Sequence, residues 1–193
     1  MAQPLLKDHS LFRSSDLDEA RERVAAVFCP HRLETLGARS LFDACHHHLP
    51  GQRLSLNYIE YGARTLIAPG ELGEFYLLQV PLDGGAEISN GSDHYLSTPD
   101  RAAILNPHLP TRMTWEEGTR QVLVQISRRA MQDHLAGLLG GPSDRPLTFD
   151  GPLAEDDVLA SLLPPRHLSI PAAEREPDAA DDAPANATPA AED

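Results

Sequence analysis

Basic side chains are scarce in this sequence. Its 193 residues carry 16 Lys and Arg against 29 Asp and Glu, a formal net charge of −13. Without clustered cations a protein cannot displace counterions from a phosphate backbone, so non-specific nucleic-acid binding and attraction to an anionic membrane are both disfavoured. Cysteine is nearly absent. Cys29 and Cys45 make neither a disulfide framework nor a zinc-ligand pattern, and read as two reduced thiols of a cytoplasmic protein. No long apolar run is present, and Met1–Ser15, with Lys7, Asp8 and His9, is neither a signal peptide nor an anchor. There is no phosphate-binding Walker loop, no Gly-x-Gly-x-x-Gly and no Gly-x-Ser-x-Gly, which argues against nucleotide chemistry and serine nucleophiles.

Aromatic residues make up only 5% of the chain, and none follows Phe149. Beyond that point the composition changes. Residues 151–193 hold 2 basic against 10 acidic side chains, and residues 171–193 are 13 Ala or Pro out of 23. Such a stretch cannot bury enough apolar surface to offset its ordering entropy and reads as a mostly disordered acidic tail. Residues 1–150 fit one domain with an ordinary core.

Within that domain, Asp16 followed by Glu19 marks a helix start, and Leu17, Ala20, Val24, Val27 and Phe28 share one helical face until Pro30. From residue 38 to 126 the apolar period falls towards two. Extended runs at 39–48, 53–61, 64–68, 74–81, 86–90, 94–97, 102–105, 111–115 and 121–127 are separated by turn sequences such as Asp83-Gly-Gly and Asn90-Gly. The pattern predicts an antiparallel sandwich or small barrel. Ser127 then opens a second helix. Ala130, Met131, His134, Leu135, Leu138 and Leu139 form an expected buried stripe, which either packs on the barrel or makes a subunit interface, and Gly140-Gly141-Pro142 stops it. A weak helical stretch follows at 155–163.

His46-His47-His48 lies on an expected strand, where His46 and His48 share a face and His47 points away. A His-x-His pair is half of a metal site. Metal-binding cupins resemble this, but their Gly and Glu positions are Ser40 and Gln52 or Arg53 here, and His94 and His108 stand alone. No third ligand converges, so no metal or other cofactor is expected. Cys29-Pro30-His31 at a helix end makes no catalytic dyad. What remains is a barrel with polar and aromatic residues at strand positions: His46, His48, Arg53, Asn57, Tyr58, Tyr61, Tyr76, Gln79 and Trp115. A barrel of this size can enclose one small ligand. His46, His48, Arg53, Tyr58, Tyr76 and Trp115 are the candidate ligand-binding residues, with Arg53 suited to a carboxylate. Met131, His134, Leu135 and Leu138 are the candidate dimer contacts.

Several segments in one order carry a family likeness. Residues 16–33 resemble the opening helix of the sensor domain in arabinose-regulator (AraC/XylS) type transcription factors. Residues 76–84 resemble its central strand; Ile104-Leu-Asn-Pro-His-Leu-Pro, Trp115, residues 121–140 and Arg145-Pro-Leu-Thr-Phe149 resemble its last strand and the following helix. The resemblance covers roughly residues 10–150. It implies a mainly β, cupin-like barrel or jelly roll with flanking helices, which binds a small effector, often aromatic or carboxylated, and offers a helical dimer surface. It also implies paired helix-turn-helix units. The 43 residues after Asp150, with their acidic balance, match no recognition helix, so direct DNA binding by this chain is not expected; homodimers, or pairing with full-length relatives, are. The rival readings are a metal-dependent cupin-like enzyme using His46 and His48, and a dimerisation module without ligand.

Overall fold

The structure, a computed structural model, describes residues 5–38, 41–142 and 146–154. It opens with a 3-10 turn, Lys7–His9, strand β1 (Ser10–Ser14) and helix α1 (Leu17–Val27). The expected cap is present: the Asp16 carboxylate accepts from Glu19 N at 2.8 Å, and the Glu19 carboxylate turns back to accept from Ser14 Oγ at 2.6 Å. The first four backbone N–H groups of a helix have no partner within it, and the Asp16 side chain satisfies one of them. Ala20 and Val24 are the buried face of α1.

Eleven further strands follow: β2 (Arg32–Thr35), β3 (Ala44–Leu49), β4 (Leu54–Glu60), β5 (Thr65–Gly70), β6 (Phe75–Asp83), β7 (Ala86–Asn90), β8 (Asp93–Ser97), β9 (Arg101–Leu105), β10 (Thr111–Trp115), β11 (Arg120–Ser127) and, after helix α2 (Arg128–Leu139), β12 (Pro152–Ala154). They form two antiparallel sheets. One runs β1-β3-β4-β11-β6-β9-β12 and the other β2-β5-β10-β7-β8. This is a cupin-like jelly roll whose barrel is not closed, as the sequence pattern and the family likeness imply. Two expected turns carry the geometry that glycine permits. Gly84 sits at φ +70°, and a Cβ there would fall 2.5 Å from Thr119 Oγ1; Gly91, at φ +65°, turns β7 into β8.

Between the sheets lies the core. Phe12, Ile59, Phe75, Leu77, Leu105 and Leu123 face in from the larger sheet, and Leu33, Ile67, Ile88, Met113 and Trp115 from the smaller. The outer face of the larger sheet is covered as well. After α2 the chain returns across it: Tyr76 Oη donates to Leu147 O at 2.6 Å, and Asn106 clamps Phe149 by accepting from its N–H (2.8 Å) and donating to its carbonyl (2.9 Å). β12 then pairs with β9, so the sheet runs a little past the boundary expected at residue 150.

α2 differs from its expectation. Its cap is present, Ser127 Oγ accepting from Ala130 N at 3.4 Å, and Gly140 ends it in the left-handed region. The stripe of Ala130, Met131, His134, Leu135, Leu138 and Leu139 is not buried, however, and Leu138 and Leu139 are 72% and 66% exposed. Helical spacing reveals a one-sided apolar face; it does not reveal whether the same chain covers it. The stretch 155–163 lies outside the described residues. Among the described residues no helix is long and apolar enough to cross a membrane.

Candidate functional site

The inward-facing side chains leave a small cavity of about 40 Å³ between the sheets. Its wall comes from α1 and the segment after it (Val24, Phe28, Cys29, His31), from the larger sheet (Ile59, Tyr61, Phe75, Leu77, Gln79, Leu123) and from the smaller sheet (Ile67, Pro69, Met113, Trp115), with Leu72 between. No lining side chain carries a full charge. Three lining atoms are buried with no hydrogen-bond partner among the described residues: His31 Nε2, Gln79 Oε1 and Trp115 Nε1. Buried polar atoms are nearly always paired, so three such atoms around one hollow are unusual.

The partners fix the chemistry of two of them. His31 Nδ1 lies 3.0 Å from Cys29 O, a carbonyl that can only accept, so Nδ1 holds the proton and Nε2 is a bare acceptor. Burial pushes the His31 pKa down and keeps the ring neutral. Gln79 Nε2 donates to Met113 Sδ at 3.2 Å, which leaves Oε1 as a second free acceptor. Trp115 Nε1–H is a donor. Beside it, Tyr61 packs at 5.4 Å between ring centroids, and burial raises its pKa, so the phenol stays neutral.

A second hollow of about 250 Å³ opens outside the first, lined by Gly51, Gln52, Arg53, Ser55, Glu74, Gln125 and Ser127. Phe28 and Phe75 line both spaces and divide them. Next to this partition lies a chain of polar groups. His46 Nε2 and His48 Nδ1 both donate to Asn57 Oδ1, at 2.9 and 2.8 Å; Asn57 Nδ2 donates to Ser55 Oγ and, at 3.5 Å, to Leu123 O. Ser55 Oγ donates to Gln125 Oε1, and Gln125 Nε2 reaches Val27 O at the end of α1. His46 is fully buried, stacked on Phe28 and edge-on to Phe12. Desolvation chiefly, and then the neighbouring His48 and His47, lower its pKa to about 4.

The expected residues therefore part company. Trp115 lines the inner cavity, with Tyr61 and Gln79. Arg53 is exposed in the outer cleft. His46 and His48 do share a face, but they meet at Asn57 and border the partition. Both of their inward nitrogens are spent on an amide oxygen, and among the described residues no three His, Cys, Asp or Glu groups gather as a metal requires. The arrangement does not fit a metal centre. Tyr58 and Tyr76 lie on the outer face of the larger sheet, away from the cavity. Tyr58 packs on His47 and donates to Glu60; Tyr76 holds Leu147 and meets Phe149 edge-on. Their even strand positions set that direction. Sequence reasoning passed over Phe28, Phe75 and His31. The last had a signal, since Cys29-Pro30-His31 ends a helix beside the barrel mouth.

A family model described as an AraC-binding-like domain matches residues 20–191. The chain belongs to this family. An AraC-binding-like domain is the sensor part of a transcription-regulator family. The probable thc operon regulatory protein of Rhodococcus erythropolis is 28% identical over 151 residues, covering 77% of this chain and 46% of that protein. The AraC-like transcriptional activator CuxR shares the fold with a TM-score of 0.53 at 12% identity, over 68% of this chain and 53% of its own. The chain thus spans about half the length of these two proteins. The cupin domain of Schizosaccharomyces pombe Cnp3 matches at a TM-score of 0.39 and 12% identity, over 52% of this chain and 74% of that one.

Proposed function

We propose that this AraC-binding-like domain takes a small effector into the cavity between its sheets and reports occupancy through helix α2. The observation that carries the reading is the apolar hollow with three unpartnered buried polar atoms, His31 Nε2, Gln79 Oε1 and Trp115 Nε1. A cavity of about 40 Å³ is smaller than the roughly 150 Å³ that encloses benzene, so the ligand enters by displacing the Phe28–Phe75 partition. Joined to the outer cleft, the space approaches about 300 Å³, the lower end of ordinary ligand pockets.

α2 begins directly from the cleft: Ser127 N donates to Arg53 O at 2.9 Å and Arg128 N to Glu74 O at 2.8 Å. Its exposed Leu138 and Leu139, beside the half-buried Leu135, support self-association, with Met131 and His134 on the same helix. A ligand acts by binding one arrangement of this helix better than another. A thermal-shift screen of small molecules, read together with tryptophan emission, tests the proposal. Binders raise the midpoint and change the emission of Trp115, the chain's single tryptophan. A broad library that moves neither favours a dimerisation module without ligand.

A further inference from the structure

The cavity also specifies what kind of molecule it takes, given that it is the effector site. We propose that the ligand is an uncharged, largely apolar molecule whose polar edge offers two hydrogen-bond donors and one acceptor, read by His31, Gln79 and Trp115. A primary carboxamide on a small ring or chain is the simplest group with that set.

Charge comes first. The fifteen lining residues include no Asp, Glu, Lys or Arg. Arg53, the side chain suited to a carboxylate, stands exposed in the outer cleft, beyond Phe28 and Phe75. A carboxylate taken past that partition would lose its hydration and meet no cation, which strongly disfavours it. An ammonium would meet no carboxylate. His31 offers no charge either, because its Nδ1 proton is held by Cys29 O and the buried ring stays neutral.

The polar inventory comes next. His31 Nε2 and Gln79 Oε1 are acceptors without donors, and Trp115 Nε1–H is a donor without an acceptor. A ligand that leaves these atoms unpaired adds nothing to compensate their burial, whereas one that supplies two N–H groups and a carbonyl pairs all three. The discrimination is of the strong kind, since a site built from buried polar groups rejects an analogue lacking their partners far better than an apolar pocket rejects a size variant. The rest of the wall is mostly apolar, with Ile59, Ile67, Leu72, Leu77 and Leu123 among it, and the Tyr61 hydroxyl and Cys29 thiol are its other polar groups.

Benzamide, benzoate and toluene form a set of nearly equal size that separates the alternatives. Titrated into the full chain and followed by Trp115 emission, benzamide is expected to bind about tenfold or more tighter than either of the others. Replacing Gln79→Leu or His31→Phe removes one acceptor each. Each variant should lower the ratio of benzamide to toluene affinity by about fivefold or more, and an unaltered far-UV circular dichroism spectrum shows that the variant is folded. If Q79L fails to fold, Gln79→Met replaces it. Benzoate binding as well as benzamide, or variants that hold benzamide unchanged, would overturn the ligand class while leaving the cavity as the effector site. Silence from all three probes at millimolar concentration, in the native chain and in Phe28→Ala with its partition opened, would overturn both.

Discussion

The Phe28 ring lies 6.1 Å from the Phe75 ring, tilted at 57°, and the two are the lining residues that the inner hollow and the outer cleft share. One ring comes from the end of α1 and the other from the start of β6, so the partition moves if either element shifts. Phe28→Ala should join the two spaces. Because Phe28 is half-buried and stacks on His46, the loss is smaller than for a fully buried ring, about 2 kcal/mol. Urea unfolding should report that loss, and stopped-flow quenching of Trp115 should show faster ligand entry.

Acid should weaken the fold through His46. Its folded-state pKa is lowered to about 4 from the ordinary 6.5. Between those values the unfolded chain binds the proton and the folded chain does not, so stability is full above pH 6.5 and falls as pH drops towards 4. The effect amounts to about 3 kcal/mol, and His31, also shifted down by burial, acts in the same direction. Denaturation midpoints measured across this range should decline, with a shallower slope in His46→Leu.

Self-association should depend on α2. Leu138 and Leu139 are largely exposed, so Leu138→Asp with Leu139→Asp should change stability by no more than about 0.5 kcal/mol each. The same pair should raise the dimer dissociation constant by about tenfold or more. Analytical ultracentrifugation checks the second effect and thermal unfolding the first.

Asn106 should fasten the returning segment. It accepts from the Phe149 N–H, donates to the Phe149 carbonyl and shares Asn90 Oδ1 through its own backbone and side-chain N–H groups. Asn106→Ala leaves several of these buried groups unpaired, at about 3 kcal/mol. Limited proteolysis should then cut after α2 much sooner than in the native chain.

Much of the sandwich was legible in the sequence. β7 and β10 fall where alternation places them, and Asp16 and Ser127 cap the helices that their positions predict. β1 and β2 were not read, being short strands at sheet edges, where little burial imposes a pattern. The His46/His48 pairing followed from strand parity alone. The cavity did not, because its wall draws single residues from both sheets and from the end of α1, which no local period encodes. Tyr58 and Tyr76 show why: aromatic residues suit either side of a sheet when both sides are covered, and only the register decides which side each one takes. α2 taught the complementary lesson, that helical spacing marks an apolar stripe without saying what covers it; among the described residues nothing buries Leu138 or Leu139.

Glu74, Phe75 and Tyr76 are consecutive, yet each touches a different working part. The Glu74 carbonyl accepts from the first amide of α2, the Phe75 ring forms half of the partition, and the Tyr76 hydroxyl holds the strand-like return at Leu147. One short stretch of backbone is therefore the common hinge-post of the ligand space, the base of the helix and the path by which the chain leaves it. A backbone change large enough to swing Phe75 aside therefore shifts the carbonyl that holds the first turn of α2 and the hydroxyl that holds Leu147 at the same time.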